Sequence, residues 1–260
     1  MSALSSYSLP FEEDLELWVA LGIDNVGLYL PKLQAAGIDT AVAAVRATGY
    51  GVSTIACRGF VLHEPDSWPK QRVVLDEAVD AAAAVNADCL FVTAGTPGPL
   101  SFDECVEAMK AALGPVRDRA RAHGVTIAIE NSNPMRRDVG FVHTLRDAVD
   151  VARALYVKLV VEITNCWSDR DIDRALTDGV DTFAVVQVSD YVIGDLCASE
   201  RAVPGDGDVP LARLIGVIAD AGFGGYFELE QLGPRIEQEG YRDAIGRGIA
   251  ALQPMLPPSA

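Results

Sequence analysis

Four acceptor side chains stand at or near the ends of short β-branched runs: Glu130 in TIAIE (126–130), Glu162 in LVVEI (159–163), Gln187 in AVVQVS (184–189) and Glu230 in YFELE (226–230). Side chains of an extended strand alternate between two faces. Thr126, Ala128 and Glu130 therefore share a face, as do Val160 and Glu162, Val185, Gln187 and Ser189, and Tyr226, Glu228 and Glu230. If the strands run parallel around a closed barrel, these parities deliver all four acceptors to one small volume at the strands' C-terminal ends. Three carboxylates crowded there must raise one another's pKa or recruit a cation. A divalent metal is the simpler remedy.

The elements that would position them recur along the chain. LSSYSL (4–9), NVGLYL (25–30), VSTIAC (52–57) and CLFVTA (89–94) precede the four runs above. Helical patterns lie between them, among them 10–22, 71–87 and 101–124. In the last, Ser101 and Glu104 have capping-box spacing, Pro115 predicts a kink, and Gly124 is a natural stop. Eight strand-plus-helix units of roughly 30 residues describe one (β/α)8 barrel spanning 1–260 as a single domain. A doubly wound sheet is the rival architecture, but no glycine fingerprint follows the first run.

The formal charge of −16 argues against nucleic-acid phosphate and anionic membranes as partners. The five cysteines form no C-x-x-C pair, which suggests reduced thiols and a cytoplasmic protein. The first residues turn acidic at once, unlike a signal peptide.

The order IAIEN, VVEITNCW, VVQVSDY, R-x-x-P-G-D-G-D-V-P and GYFELEQ resembles the xylose isomerase-like TIM-barrel superfamily, and within it the sugar phosphate isomerase/epimerase group. The resemblance implies a single divalent ion, Mn²⁺ or Mg²⁺, held by Glu130, Glu162, Gln187 and Glu230. It implies a small-molecule substrate, proton transfer by Glu130 and Glu230, substrate contacts by Asn165 and Arg201, and, by analogy, a homo-oligomer. Three positions depart from the family pattern: Glu162 replaces an Asp, and Gln187 and Asn165 each replace a His. The resulting all-oxygen donor set favours a hard ion over zinc. The implied function is a metal-dependent isomerase or epimerase of a sugar or related polyhydroxy carbonyl compound. The alternatives are a dehydratase or lyase on a cyclic or non-sugar keto compound, or a metal-free binding barrel.

Other residues carry two readings each. His63, Trp68 and Trp167 fall on strand-to-helix loops at the same face, as substrate contacts or as loop packing. Glu228 reads as a second acid/base or as a carboxylate buried against Arg or Lys. Asp190 braces Arg201 or simply leads a helix, and the acidic helix 10–16 reads as a solvated face.

Overall fold

Seven parallel strands pair in chain order: β1 (Asn25–Tyr29), β2 (Gly51–Cys57), β3 (Cys89–Thr93), β4 (Ile127–Glu130), β5 (Lys158–Glu162), β6 (Phe183–Val188) and β7 (Tyr226–Leu229). The computed structural model describes residues 1–257 except 196, 198 and 199. Each strand lies within one residue of its expected run, because β-branched runs bounded by turns leave little latitude. The fold is a nearly closed α/β barrel, with helices flanking the sheet.

The expected strand 4–9 is corrected. Ala3–Ser6 is a 3-10 turn capped by Ser2, whose Oγ accepts from the Leu4 amide. Serines here satisfy local backbone groups and so compete with a strand ladder. Closure falls instead to residues 1 and 2. The Gly27 amide donates to the Met1 carbonyl at 2.7 Å, and the Ser2 amide donates to the Leu229 carbonyl at 2.8 Å. Ser2 thus bridges β1 and β7 where an eighth strand would run.

That turn is fastened by a buried ion pair. Lys32 Nζ lies 2.7 Å from Asp14 and also donates to the carbonyls of Ala3 and Ser6. Asp14 is fully buried, so the acidic helix is not merely a solvated face.

Helix Phe102–Ala122 opens with the Ser101–Glu104 capping box and runs on through Pro115. Proline removes one amide donor, and the carbonyl four residues back, that of Ala111, accepts from Arg72 Nη2 at 2.9 Å. A neighbouring helix thus compensates for the missing bond.

Two apolar layers result. The larger fills the space between sheet and helices. The smaller, Ala56, Cys89, Phe91, Ala128, Val160 and Val185, fills the barrel interior. Ala128, Val160 and Val185 share parity with Glu130, Glu162 and Gln187, so these three strands carry an apolar floor beneath a polar layer, whereas Glu228 lies beneath Glu230. All five cysteines are free. No described helix is long and apolar enough to cross a membrane.

Candidate active site

A cavity of about 400 Å³ opens at the C-terminal ends of the strands. Its walls include Glu130, Glu230, Asn165 and Arg201 from the expected set. Glu162 and Gln187 are buried behind them, 1% and 0% exposed. They pair in register across β5 and β6, and Gln187 pairs with Glu228 across β6 and β7.

Each carboxylate meets different chemistry. Glu230 Oε2 accepts from Ser2 Oγ at 2.8 Å and from Gln187 Nε2 at 2.6 Å. Glu162 Oε1 accepts from the Thr164 amide at 2.9 Å and from the Thr164 hydroxyl. Glu228 accepts from Ser53 Oγ, from Thr54 Oγ1 at 3.1 Å and from Gln187 Nε2 at 3.2 Å. Hydroxyls of β2 reach across the barrel interior to Glu228, where one expectation had Arg or Lys. Space there is tight: a Cβ on Gly27 would approach Glu228 Oε2 to 2.4 Å.

Electrostatics follow from this crowding. Burial, then repulsion from Glu162, pushes the Glu130 carboxyl up to about 8, against the pull of Arg201 and Arg136. Burial raises Glu230 well above the ordinary carboxylate range, and Glu162, Glu130 and Glu228 add to it. Burial also raises Glu162, with Arg201 and the Thr164 hydrogen bonds opposing. Buried carboxylates that repel one another in this way hold protons unless a cation joins them.

A chain of amides orients the cationic partner. Arg201 Nη2 donates to Asn165 Oδ1 at 3.0 Å, and Asn165 Nδ2 donates to the Asn131 carbonyl at 2.9 Å. Asn131 in turn exchanges two hydrogen bonds with the backbone of Glu162. Its signal lay in the sequence, as the amide directly after Glu130 in IAIEN, but its partner is 31 residues away.

Asp190 works through backbone. Its carboxylate accepts from the amides of Tyr191, Gly205, Gly207 and Val209, organising the PGDGDV turn. An antiparallel bridge between Asp190 and Ala202 then fixes the residue after Arg201. A Cβ on Gly207 would meet Asp190 Oδ1 at 2.4 Å, which explains glycine there. Asp190→Ala strands these amides and is expected to lower stability by roughly 3 kcal/mol or more. Chemical denaturation checks it, and a loss under 1 kcal/mol contradicts this role.

Three candidates stand apart from the cavity walls. Trp68 Nε1 donates to the Val61 carbonyl at 3.0 Å, and its ring meets Phe60 edge-on at 6.5 Å. Trp167 packs against the core at the end of helix Ile163–Cys166. His63 lies beside Gly98, where a Cβ would come within 2.4 Å of its ring. Reading the sequence passed over Tyr7, Tyr29, Arg58, Phe91 and Arg136, all of which line the cavity. Single loop residues carry no periodic signal.

The donor set fits a hard divalent ion by its chemistry. Glu130, Glu162 and Glu230 supply carboxylate oxygens, and the buried Gln187 Oε1 has no hydrogen-bond partner among the described residues. An orphaned acceptor among anions is the group a cation would satisfy. Among the described residues no three His, Cys, Asp or Glu side chains are already gathered as a ligand cluster.

The profile of a family described as xylose isomerase-like TIM barrel matches residues 15–252. No curated protein matches the chain. A protein from Sinorhizobium meliloti 1021 superimposes with a TM-score of 0.86 at 24% identity, over 98% of each chain. The IolI protein, solved with a zinc atom, gives 0.84 at 16% identity over 98% of this chain and 96% of its own. D-psicose 3-epimerase from Clostridium cellulolyticum H10, solved with D-tagatose, gives 0.75 at 15% identity over 96% and 94%. At such identities the likeness is one of fold.

Proposed function

This chain belongs to the xylose isomerase-like TIM-barrel family, and on that premise we propose that it is a divalent-metal-dependent isomerase or epimerase of a polyhydroxy carbonyl compound. The observation that carries the reading is the pair Glu130 and Glu230: both line one cavity and both are pushed above the ordinary carboxylate range. The value of about 8 at Glu130 is that of the ion-free site, and a bound cation favours the ionised form, the form that accepts a proton.

In this reading Glu130 takes the proton next to the substrate carbonyl. Glu230, held in its acid form, returns a proton to the neighbouring carbon in isomerisation or to the other face of the same carbon in epimerisation. Ser2 and Gln187 both donate to Glu230 Oε2 and fix the orientation of its carboxyl. Arg201, held by Asn165, contributes fixed positive charge beside Glu130 and Glu162. A divalent ion on Glu130, Glu162, Glu230 and Gln187 Oε1, when bound, supplies the charge that stabilises a developing oxyanion. The zinc of IolI supports a metal in this fold, and the epimerase supports a sugar-like substrate. Manganese or magnesium suits the oxygen donors better than zinc does.

A second reading, loss of water from a cyclic keto compound, is favoured by the apolar and aromatic share of the wall: Leu4, Tyr29, Phe91, Val139 and Leu232. In it Glu230 protonates the departing hydroxyl.

Elemental analysis of the purified protein, melting curves with added Mn²⁺ and solvent-deuterium incorporation into ketoses and inososes test both readings. A bound divalent ion, a raised melting temperature and label in at least one ketose are expected. Label only in a dehydrated product selects the second reading. No bound ion, no thermal shift and no label anywhere would defeat both.

A further inference from the structure

We propose that the barrel carries a second binding site on the face opposite the candidate active site, and that it takes a small nucleoside phosphate, an anion joined to a planar ring. A cavity of about 880 Å³ lies there, between the ends of helices Phe102–Ala122 and Leu145–Leu155 and beside the starts of β4 and β5. Its walls include Arg117, Arg121, Arg153, Tyr156 and Lys158, with Asp181 as the one carboxylate among the described lining residues. Positive charge is thus gathered in one cleft of a chain whose formal charge is −16.

Part of that charge is already engaged. Arg117 Nη2 lies 2.9 Å from Asp118, and its Nη1 donates to the Leu155 carbonyl at 3.0 Å. Arg153 Nη2 lies 2.7 Å from Asp181. Two cations remain. Among the described residues Lys158 Nζ donates only to the Asp181 carbonyl, at 2.6 Å, a neutral partner that leaves its charge uncompensated. Arg121 is exposed and makes neither an ion pair nor a side-chain hydrogen bond among the described residues. Cations suit helix C-termini in general, but that does not account for this cluster. Helices Phe11–Leu21, Trp68–Val85 and Leu211–Asp220 also lead into strand starts, and none has a basic residue in its last turn.

Tyr156 supplies an independent observation. It caps helix Leu145–Leu155 in the left-handed region, at φ 56° and ψ 46°, and is 83% exposed. Helices Phe11–Leu21 and Ile38–Thr48 place glycine at the same position, Gly22 and Gly49. A bulky side chain is disfavoured in that conformation, and an exposed ring recovers little of the cost by burial. Strain retained at one residue points to a use for its side chain. A tyrosine ring beside uncompensated cations suits a ligand whose planar ring stacks on it while its phosphate accepts charge-assisted hydrogen bonds from Arg121 and Lys158.

Calorimetric titration of the full chain with ADP, adenosine and pyrophosphate tests this, because ADP joins the ring of one probe to the charge of the other. ADP is expected to bind about tenfold or more tightly than either, with affinity falling as salt rises. R121Q/K158Q is expected to weaken ADP binding about tenfold and Y156A about fivefold or more, whereas R58Q, at the opposite mouth of the barrel, leaves it unchanged. Y156G separates a ligand role for the ring from a structural one. Glycine relieves the left-handed backbone, so this variant is expected to melt at or above the wild-type temperature while losing ADP affinity as Y156A does. No measurable heat with ADP, pyrophosphate binding as tightly as ADP, or an ADP affinity indifferent to these substitutions overturns the proposal. A Y156G variant that melts below wild type overturns it too, because the ring would then serve the fold.

Discussion

Glu230→Gln is expected to lower the rate of solvent-proton exchange into substrate by roughly a thousandfold, with Glu130→Gln close behind it, as for loss of a general acid or base. The amide is nearly isosteric and keeps a hydrogen-bonding oxygen for Ser2 Oγ and Gln187 Nε2, so the wall of the cavity is preserved. What it removes is the proton-carrying oxygen. Glu228→Gln is the informative control, since Glu228 is 1% exposed and is not among the cavity walls. It should perturb folding through Ser53 and Thr54 more than it perturbs exchange. Exchange rates read by mass spectrometry, with circular dichroism to verify folding, decide the matter. Retention of more than a tenth of the wild-type rate in either catalytic variant would remove that residue from the mechanism.

The second large effect is a fall in stability as pH rises with divalent ions chelated. Glu130 has an ordinary value of 4.5 and is pushed to about 8 in the folded chain. Below 4.5 the carboxyl is protonated in both folded and unfolded states and contributes no difference. Between 4.5 and 8 the unfolded chain releases this proton while the folded chain keeps it, so folding binds protons and loses stability as pH increases. Glu230, raised by burial and by its neighbouring carboxylates, adds a loss of the same sign. Glu130 is half-buried, which discounts the effect, and a loss on the order of 2–4 kcal/mol is expected for it across the window. For a chain of this length that corresponds to roughly 10 °C in Tm. Glu130→Gln removes the burden and should melt above wild type at pH 8 while matching it near pH 5. Added Mn²⁺ should flatten the wild-type slope, because a cation favours the ionised forms. Melting curves at pH 5, 6.5 and 8, with chelator and with Mn²⁺, measure this. A wild-type Tm that rises across the window, or an E130Q variant with the same slope, contradicts the electrostatic account.

These two predictions draw on features of different origin. Parity along IAIE, LVVE, VVQV and YFELE can be read residue by residue, and it puts Glu130 and Glu230 on one face of their strands, the face that lines the cavity. The capping box at Ser101 and Glu104 was equally legible, since both signals are local. Loop candidates fared differently. Trp68 and Trp167 follow strands as substrate-stacking residues often do, yet their rings are spent on packing. Arg58 and Arg136 gave no local signal, and only shared attachment to Asp138 unites them.

The amino-acid order alone determined the succession of the strands from β1 to β7, the face each acidic side chain takes, and the deficit of positive charge among them, because strand and helix periods act over a few residues. Tertiary structure decided that residues 1 and 2 close the cylinder, that one Gln187 amide serves both Glu228 and Glu230, and that Asp190 gathers amides from a turn as far as nineteen residues away. Those outcomes depend on register between strands, on which rotamer wins a crowded interior and on which loops meet at the barrel mouth. Each is a competition among groups distant in the chain, and no short stretch contains its result.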